Sequence, residues 1–279
     1  MLLALAAFTT ASLAEADARV ATLAWRLQTA NVALCSETAR LPGFTVHHAS
    51  QYALAVRRDM RLDDRPAISA VVAESSAARA GLRAGDAISA IEGTAARYPA
   101  GGRAHYDAVA DVTRRIAEGL ADGRLDLTLT DRAVAIAGDR GCVSTVEVVP
   151  GARVNAQADG RIVQVWGGLI DFARTDDELA FSVAHELAHN ILKHRARLDR
   201  IGRSRANSRA TELEADRLAV WLIARAGYDV DAVLPYRERL NVRFGRSATH
   251  PPPADRLARL AEAVSELKVQ RASGRPLLP

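Results

Sequence analysis

Aromatic side chains make up only 5% of this 279-residue chain, and Lys193 and Lys268 are its only lysines, so arginine carries nearly all of its positive charge. A groove for single-stranded nucleic acid interleaves cations with aromatic platforms on which bases stack. No such interleaving occurs here. The formal net charge of +4 reads as the arginine and alanine excess of a GC-rich gene, and no nucleic-acid partner is expected. Long apolar runs are missing as well. No stretch reaches the roughly 20 residues that cross a bilayer as a helix, so no transmembrane segment is expected.

Cysteine is almost absent: Cys35 and Cys142 are the only two. Paired as a disulfide, they would close a loop of about a hundred residues, worth up to about 4–5 kcal/mol in the chain-entropy model. They would then staple the front of the chain to its back half. Unpaired, they are two buried thiols, the ordinary state in a reducing compartment. The N-terminus lacks the positive residues that usually open a signal peptide. It has a short apolar run, Leu2–Phe8, and a Ser12-Leu13-Ala14 site that suits signal peptidase. Residues 1–14 are read as a signal peptide, with a start further upstream or a plain helix beginning as the alternatives. Export, to the bacterial periplasm or a similar compartment, agrees with a cysteine pair.

What the chain does contain is His185-Glu186-Leu187-Ala188-His189, followed by Glu212-Leu213-Glu214-Ala215-Asp216. Residues four apart on a helix share a face, about 6 Å apart along the axis. His185 and His189 can therefore aim two imidazoles at one tetrahedral zinc ion. Glu186, on the flank, can reach a water at the metal without ligating it. A third protein ligand is needed, and Glu212 is the best candidate. Asp216 can accept the second N–H of a ligating histidine. The bare pentapeptide also fits a helix with two hydrogen-bonded histidines, and the acidic pair also fits a solvated edge. The surroundings favour the metal. Thr175 and Glu178 read as a capping box, and Leu179, Val183, Leu187, Ile191 and Leu192 recur at helical spacing as a buried stripe. A second helix is predicted over about 207–226, with Ala215, Leu218, Ala219, Leu222 and Ala226 as its core face and Gly227 as its stop. Leu192 stands where a metzincin needs glycine, and Arg195 where it needs its third histidine, which excludes that subclass. His194 is expected at the helix end as a structural or metal-supporting histidine, its positive form complementing the helix dipole.

With HELAH at 185–189 and ELEAD at 212–216, the chain resembles the gluzincin-type zinc metallopeptidase family that includes HtpX and the CAAX prenyl endopeptidases (family forty-eight of the metallopeptidases). The segment NAQADGRIVQVWGGLI at 155–170 and THPPPADR at 249–256 are similar to two further family elements, in the same order. Gly168 departs from the pattern, standing where many members carry arginine. The resemblance implies one Zn2+ per chain, held by His185, His189 and Glu212. Glu186 would be the catalytic base and Asp216 the group that orients a ligand. It places His250 and Arg256 near the cleft, as transition-state contacts or as a plug over the metal; a proline-rich turn that starts a helix is the plainer account. It also makes the strand Ile162–Trp166 the edge of the cleft, with Asn155, Ile162, Val163, Gln164 and Val165 meeting an extended substrate. Unfolded or misassembled proteins are the implied substrates.

Residues 66–93 are similar to a PDZ domain: a strand, a helix beginning near Ser75, a glycine-bearing turn and a strand after Gly85-Asp86. Gln51–Val56 resembles the carboxylate-binding loop and first groove strand of such a domain. A helix from about Tyr106 to Leu120 and a strand over Leu125–Thr130 would complete it. Such a module binds peptide ends by strand addition, or serves as a spacer or lid. The expected fold class is α+β. Residues 15–43 would form a helix and linker, 44–140 a PDZ-like β-rich domain, and 141–279 a mainly helical zincin-type metallopeptidase domain with a small edge sheet. Lys193, Arg195, Arg197, Arg200, Arg203, Arg205 and Arg209 read as a solvated helix end, or as a surface for peripheral membrane association. The leading function is a zinc-dependent endopeptidase. The alternatives are a peptide-binding or chaperone-like protein with gated activity, and a zinc hydrolase of a non-peptide bond.

Overall fold

Helical and alternating patterns resolve, in a computed structural model, into the elements below; it describes residues 10–99, 101, 104–245 and 251–279. In chain order come α1 (Thr10–Ala30), β1 (Thr38–Leu41), β2 (Phe44–His47), α2 (Leu54–Asp59), β3 (Ala67–Val71), α3 (Ser76–Arg79), β4 (Ile88–Ile91) and β5 (Thr94–Ala95). Then follow α4 (Asp107–Ala121), β6 (Leu125–Leu129), β7 (Ala133–Ile136), β8 (Asp139–Cys142), β9 (Thr145–Val149), β10 (Ala156–Ala158) and β11 (Ile162–Trp166). Helices then follow: α5 (Gly167–Phe172), α6 (Asp176–Ile191), α7 (His194–Ile201), α8 (Arg205–Arg225), α9 (Val233–Phe244) and α10 (Pro253–Ala272). The architecture mixes helix with small sheets. One unit takes in Met1–Trp25 and Ala39–Gly141, the other Arg26–Thr38 and Cys142–Pro279. The stretch 15–43 is thus no separate piece, since the division cuts it twice. Among the described residues no helix is long and apolar enough to cross a membrane.

In the first unit, strand alternation and helical spacing meet in one core. Leu125, Leu127 and Leu129 point inward from β6, with Asp126 and Thr128 outward. Val112, Ile116 and Leu120, four apart on α4, bury the matching stripe. Phe44, Ile68, Ile88, Ile91 and Ile136 complete the cluster. Two of the sheets are antiparallel, one ordered β5-β4-β6-β7 and another β2-β3, and β1 pairs with β8 in a third. The helix expected near Ser75 is there, its Ser75 side chain accepting from the Ala78 amide. Gln51–Val56 differs from expectation. Its two ends turn helical, a 3-10 turn over Ala49–Gln51 and then α2, where Arg57 and Met60 amides bond to the Ala53 and Val56 carbonyls. No groove strand forms there.

The second unit is built on α6 packed against α8, with α10 on α8 and the sheet β10-β11-β9 on α6. Leu179, Val183 and Leu187 of α6 and Ala215, Leu218, Ala219 and Leu222 of α8 are all buried, and the two helices pack together. Leu192 stays outside it at 37% exposure, because the helix has already ended at Ile191. The capping box is half formed. The Thr175 hydroxyl accepts from the Glu178 amide, whereas the Glu178 carboxylate accepts from the Arg174 amide and pairs with Arg239 of α9. Asn190, near the end of α6, accepts from the Gly160 amide and donates to Ser144, which ties the helix to the β10–β11 turn and to β9.

The sheet corrects the expected cleft edge. β11 is the central strand, antiparallel to β10 on one side and parallel to β9 on the other. Ile162, Val163, Gln164 and Val165 therefore have their backbone partners inside the sheet, and Val163 and Val165 are fully buried. Asn155 gives its carbonyl to the Trp166 amide. The outer strand beside α6 is β10. Gly168 departs from the family pattern for a steric reason, since a Cβ there would stand 2.3 Å from the Ala152 carbonyl oxygen. Cys35 and Cys142 form a disulfide. Both belong to the second unit, so the bridge ties the front stretch Arg26–Thr38 to Cys142–Pro279 within that unit.

Candidate metal and peptidase site

Three elements set the site. α6 carries His185, Glu186 and His189; α8 carries Glu212, Glu214 and Asp216; the first turn of α10 carries Arg256. The Nε2 atoms of His185 and His189 lie 3.2 Å apart. The two Glu212 oxygens lie 3.5 Å from them, one from each. One ligand atom from each of His185, His189 and Glu212 falls within 4.8 Å of the others, a group that could hold a metal ion.

Behind this triangle the groups are tightly paired. His185 Nδ1 lies 2.9 Å from Asp216 Oδ1. Arg256 clamps Asp216 through two 2.6 Å bonds and reaches Glu212 at 3.3 Å. Arg256 and Asp216 are only 3% and 1% exposed. The guanidinium is thus committed to the Asp216 and Glu212 carboxylates, where the resemblance implies a transition-state contact or a plug over the metal. On the other flank, His189 Nδ1 lies 2.9 Å from His194 Nδ1, and His194 Nε2 lies 3.2 Å from Glu214. Arg197 donates to the same Glu214 oxygen.

These contacts perturb every titration in the cluster. For His185, burial pulls downward but hydrogen bonds to Asp216 and Glu212 outweigh it, leaving the ring near 9. Burial, and then charged His185, push His189 down to about 3. Glu212 falls to about 2, since the neighbouring His185 and Arg256 overcome burial, and Asp216 is held low by Arg256 and His185 in the same way. Glu186 moves the other way, up to about 7, chiefly through burial; a backbone hydrogen bond from Ala158 of β10 acts against that rise.

The structure brings together His185, Glu186, His189, Glu212, Asp216 and Arg256. His250 lies outside the described residues. His194 is buried, but begins α7 rather than ending α6. A positive charge there would oppose the helix dipole, and burial lowers its pKa. Sequence reasoning missed Glu214 and Arg197. The available signal was the spacing of Glu214, midway between two acids already singled out. It also missed Arg237, whose guanidinium burial and Arg256 push down to about 10.

Residues 129–203 and 198–264 match the model of peptidase family M48. The chain is 25% identical over 178 residues to the mitochondrial metalloendopeptidase OMA1 of Schizosaccharomyces pombe, covering 50% of this chain and 52% of that protein. It is 29% identical over 164 residues to a putative beta-barrel assembly-enhancing protease of Vibrio cholerae, covering 45% of this chain and 34% of that protein. It therefore spans about half the length of the first relative and a third of the second. These matches support a metallopeptidase of the M48 type.

Proposed function

With residues 129–264 as an M48-type metallopeptidase region, we propose that the chain is a zinc-dependent endopeptidase that binds one Zn2+ through His185, His189 and Glu212. The carrying observation is the spacing of the three ligands. Donors about 2.0–2.1 Å from a tetrahedral zinc ion stand roughly 3.3 Å apart, and the atoms here are separated by 3.2 and 3.5 Å. Zinc bound there supplies a Lewis acid that acidifies water and polarises a carbonyl. Glu186 is the general base: its carboxylate takes the proton of the attacking water and delivers it to the departing amine. Asp216, with Arg256 behind it, holds His185 in the tautomer that presents Nε2. An extended substrate is expected along β10, the outer strand that packs on α6.

The finer reading places this peptidase in the bacterial envelope, acting on unfolded or misassembled proteins. The disulfide fits an oxidising compartment, and the Vibrio relative carries a name tied to beta-barrel assembly. In the first unit we propose a PDZ-like peptide-binding module. Among the described residues β2 pairs with β3 alone, and it lies against α4, so a peptide strand could add between β2 and that helix. A chaperone-like protein with gated proteolysis is the second reading, resting on the same strand.

The test is casein hydrolysis with metal analysis. Wild type should contain one zinc and lose activity to a chelator. Glu186→Gln should keep the zinc and lose about 10²–10⁴-fold in rate; cleavage at the wild-type rate would refute the assignment. The same variant, expressed in cells, should trap substrates.

A further inference from the structure

The two ligand histidines differ in what stands behind them. His185 faces a carboxylate directly, whereas His189 faces another imidazole, with the two Nδ1 atoms 2.9 Å apart. Nitrogens that close must be one donor and one acceptor. Which is which follows from the far side of His194. Its Nε2 lies 3.2 Å from Glu214, whose same oxygen accepts from Arg197 at 2.7 Å. A carboxylate paired with arginine only accepts, so His194 carries its hydrogen on Nε2 and offers the Nδ1 lone pair. His189 then carries its hydrogen on Nδ1, and its Nε2 lone pair is left aimed into the triangle with His185 and Glu212.

We infer that His194 and Glu214 are positioning residues that fix the tautomer and ring plane of His189 as a metal ligand, an inference that rests on the zinc reading above. Chain geometry shows how the pair meets. Five residues along a continuous helix would place His194 about 140° around the axis from His189. Lys193 instead takes a left-handed conformation, φ 53°, which stops α6 and starts α7 at His194. His194 is thereby folded back under His189 at 1% exposure. Arg197, one turn on in α7, fixes Glu214 from the same helix. The two metal histidines thus rest on parallel lines, His185–Asp216–Arg256 and His189–His194–Glu214–Arg197.

The test is zinc affinity by chelator competition, with the visible spectrum of the Co2+-loaded protein and the melting temperature of the metal-free protein. His194→Ala should weaken zinc binding about 10–100-fold and change the cobalt spectrum. His194→Asn, which restores an acceptor near the Nδ1 position, should recover part of the loss. Should His194→Ala fail to fold, Glu214→Gln decides, because that side chain is half exposed and isosteric; it should weaken zinc several-fold at an unchanged metal-free melting temperature. Wild-type zinc affinity in both His194→Ala and Glu214→Gln would overturn the inference while leaving the site intact, provided His185→Ala still abolishes binding. Equal losses for His194→Ala and His194→Asn, in step with a falling metal-free melting temperature, would make the role mere packing and overturn it too. If His185→Ala binds zinc like wild type, the metal site itself is wrong and the inference goes with it.

Discussion

The two units bury different kinds of polar group. In the first, the buried polar residues are His47, His48, Ser50, Ser75 and Ser76, all neutral, with burial holding both imidazoles below their ordinary pKa. In the second, they include Glu178, Asp216 and Arg256, the fully buried charged side chains among the described residues. Removing a charge from water costs several kcal/mol, and its partner restores that only with close geometry. A fold needing stability alone is served by the first solution. The second unit accepts the cost where three of its helices converge on one cluster of ligand atoms. Asp216 and Arg256 stand behind the candidate site, whereas Glu178 caps α6 and pairs with Arg239.

The largest effect should come from breaking that buried network. Arg256→Met leaves Asp216 at 1% exposure without its guanidinium. It should destabilise the metal-free second unit by about 3–5 kcal/mol in chemical denaturation, because the buried carboxylate loses both guanidinium bonds and keeps His185 as its charged partner. A variant as stable as wild type would remove the contrast between the units.

A smaller effect, of opposite sign, is expected at the one place where the first unit strains toward the second's solution. Asp17 of α1 is raised to about 6, mainly by burial, with a hydrogen bond to Ser69 acting against the rise. Its folded pKa lies above its unfolded one, so between about pH 4 and 6 the native state binds more protons. Stability is therefore greatest below pH 4 and falls as pH rises through 6. Near pH 7 the ionised Asp17 costs up to about 3 kcal/mol. Asp17→Asn should stabilise the first unit at pH 7 by up to that amount and flatten its stability between pH 4 and 6, as read by melting temperature against pH. A profile unchanged by the substitution would show that Asp17 is ordinarily solvated.

The group that could hold a metal was legible in the sequence because its information is local. His185 and His189 share a face by spacing alone, and Glu212 and Asp216 share one on the next helix. Other features were not legible. The place of β11 depends on pairing between distant segments, 145–149 and 162–166, and the apolar alternation of Ile162–Trp166 suits a central strand as well as an edge. The contact of His194 with His189 depends on a single left-handed residue, Lys193, which carries no glycine to announce it. Likewise α2 forms where Gln51–Val56 resembled a groove strand, since the helical pattern of Leu54–Asp59 is too short to separate from a loop by periodicity. Both halves of the disulfide fall in one unit because residues 26–38 return to it, which no composition shift reveals.

The smallest expected effect sharpens the contrast most, because bond length is nearly held fixed. Arg97 and Asp64 in the first unit pair at 2.8 Å, with side chains 61% and 45% exposed. Arg256 and Asp216 in the second pair at 2.6 Å, almost wholly buried. Both are arginine–aspartate contacts, and a static structure draws them alike. Water and salt separate them: exposed ions remain hydrated whether or not they touch, and counterions screen them within about 10 Å at 0.1 M. A double-mutant cycle of Arg97→Ala and Asp64→Ala should return less than about 1 kcal/mol, shrinking further as salt is raised. The Arg256→Met penalty should change little over the same salt range, since no ion reaches the buried pair. If the exposed pair proved as costly to break as the buried one, and as indifferent to salt, contact distance rather than burial would set the value of a charge pair in this protein. The burial of Asp216 and Arg256 would then no longer single out the helices that carry the candidate ligands.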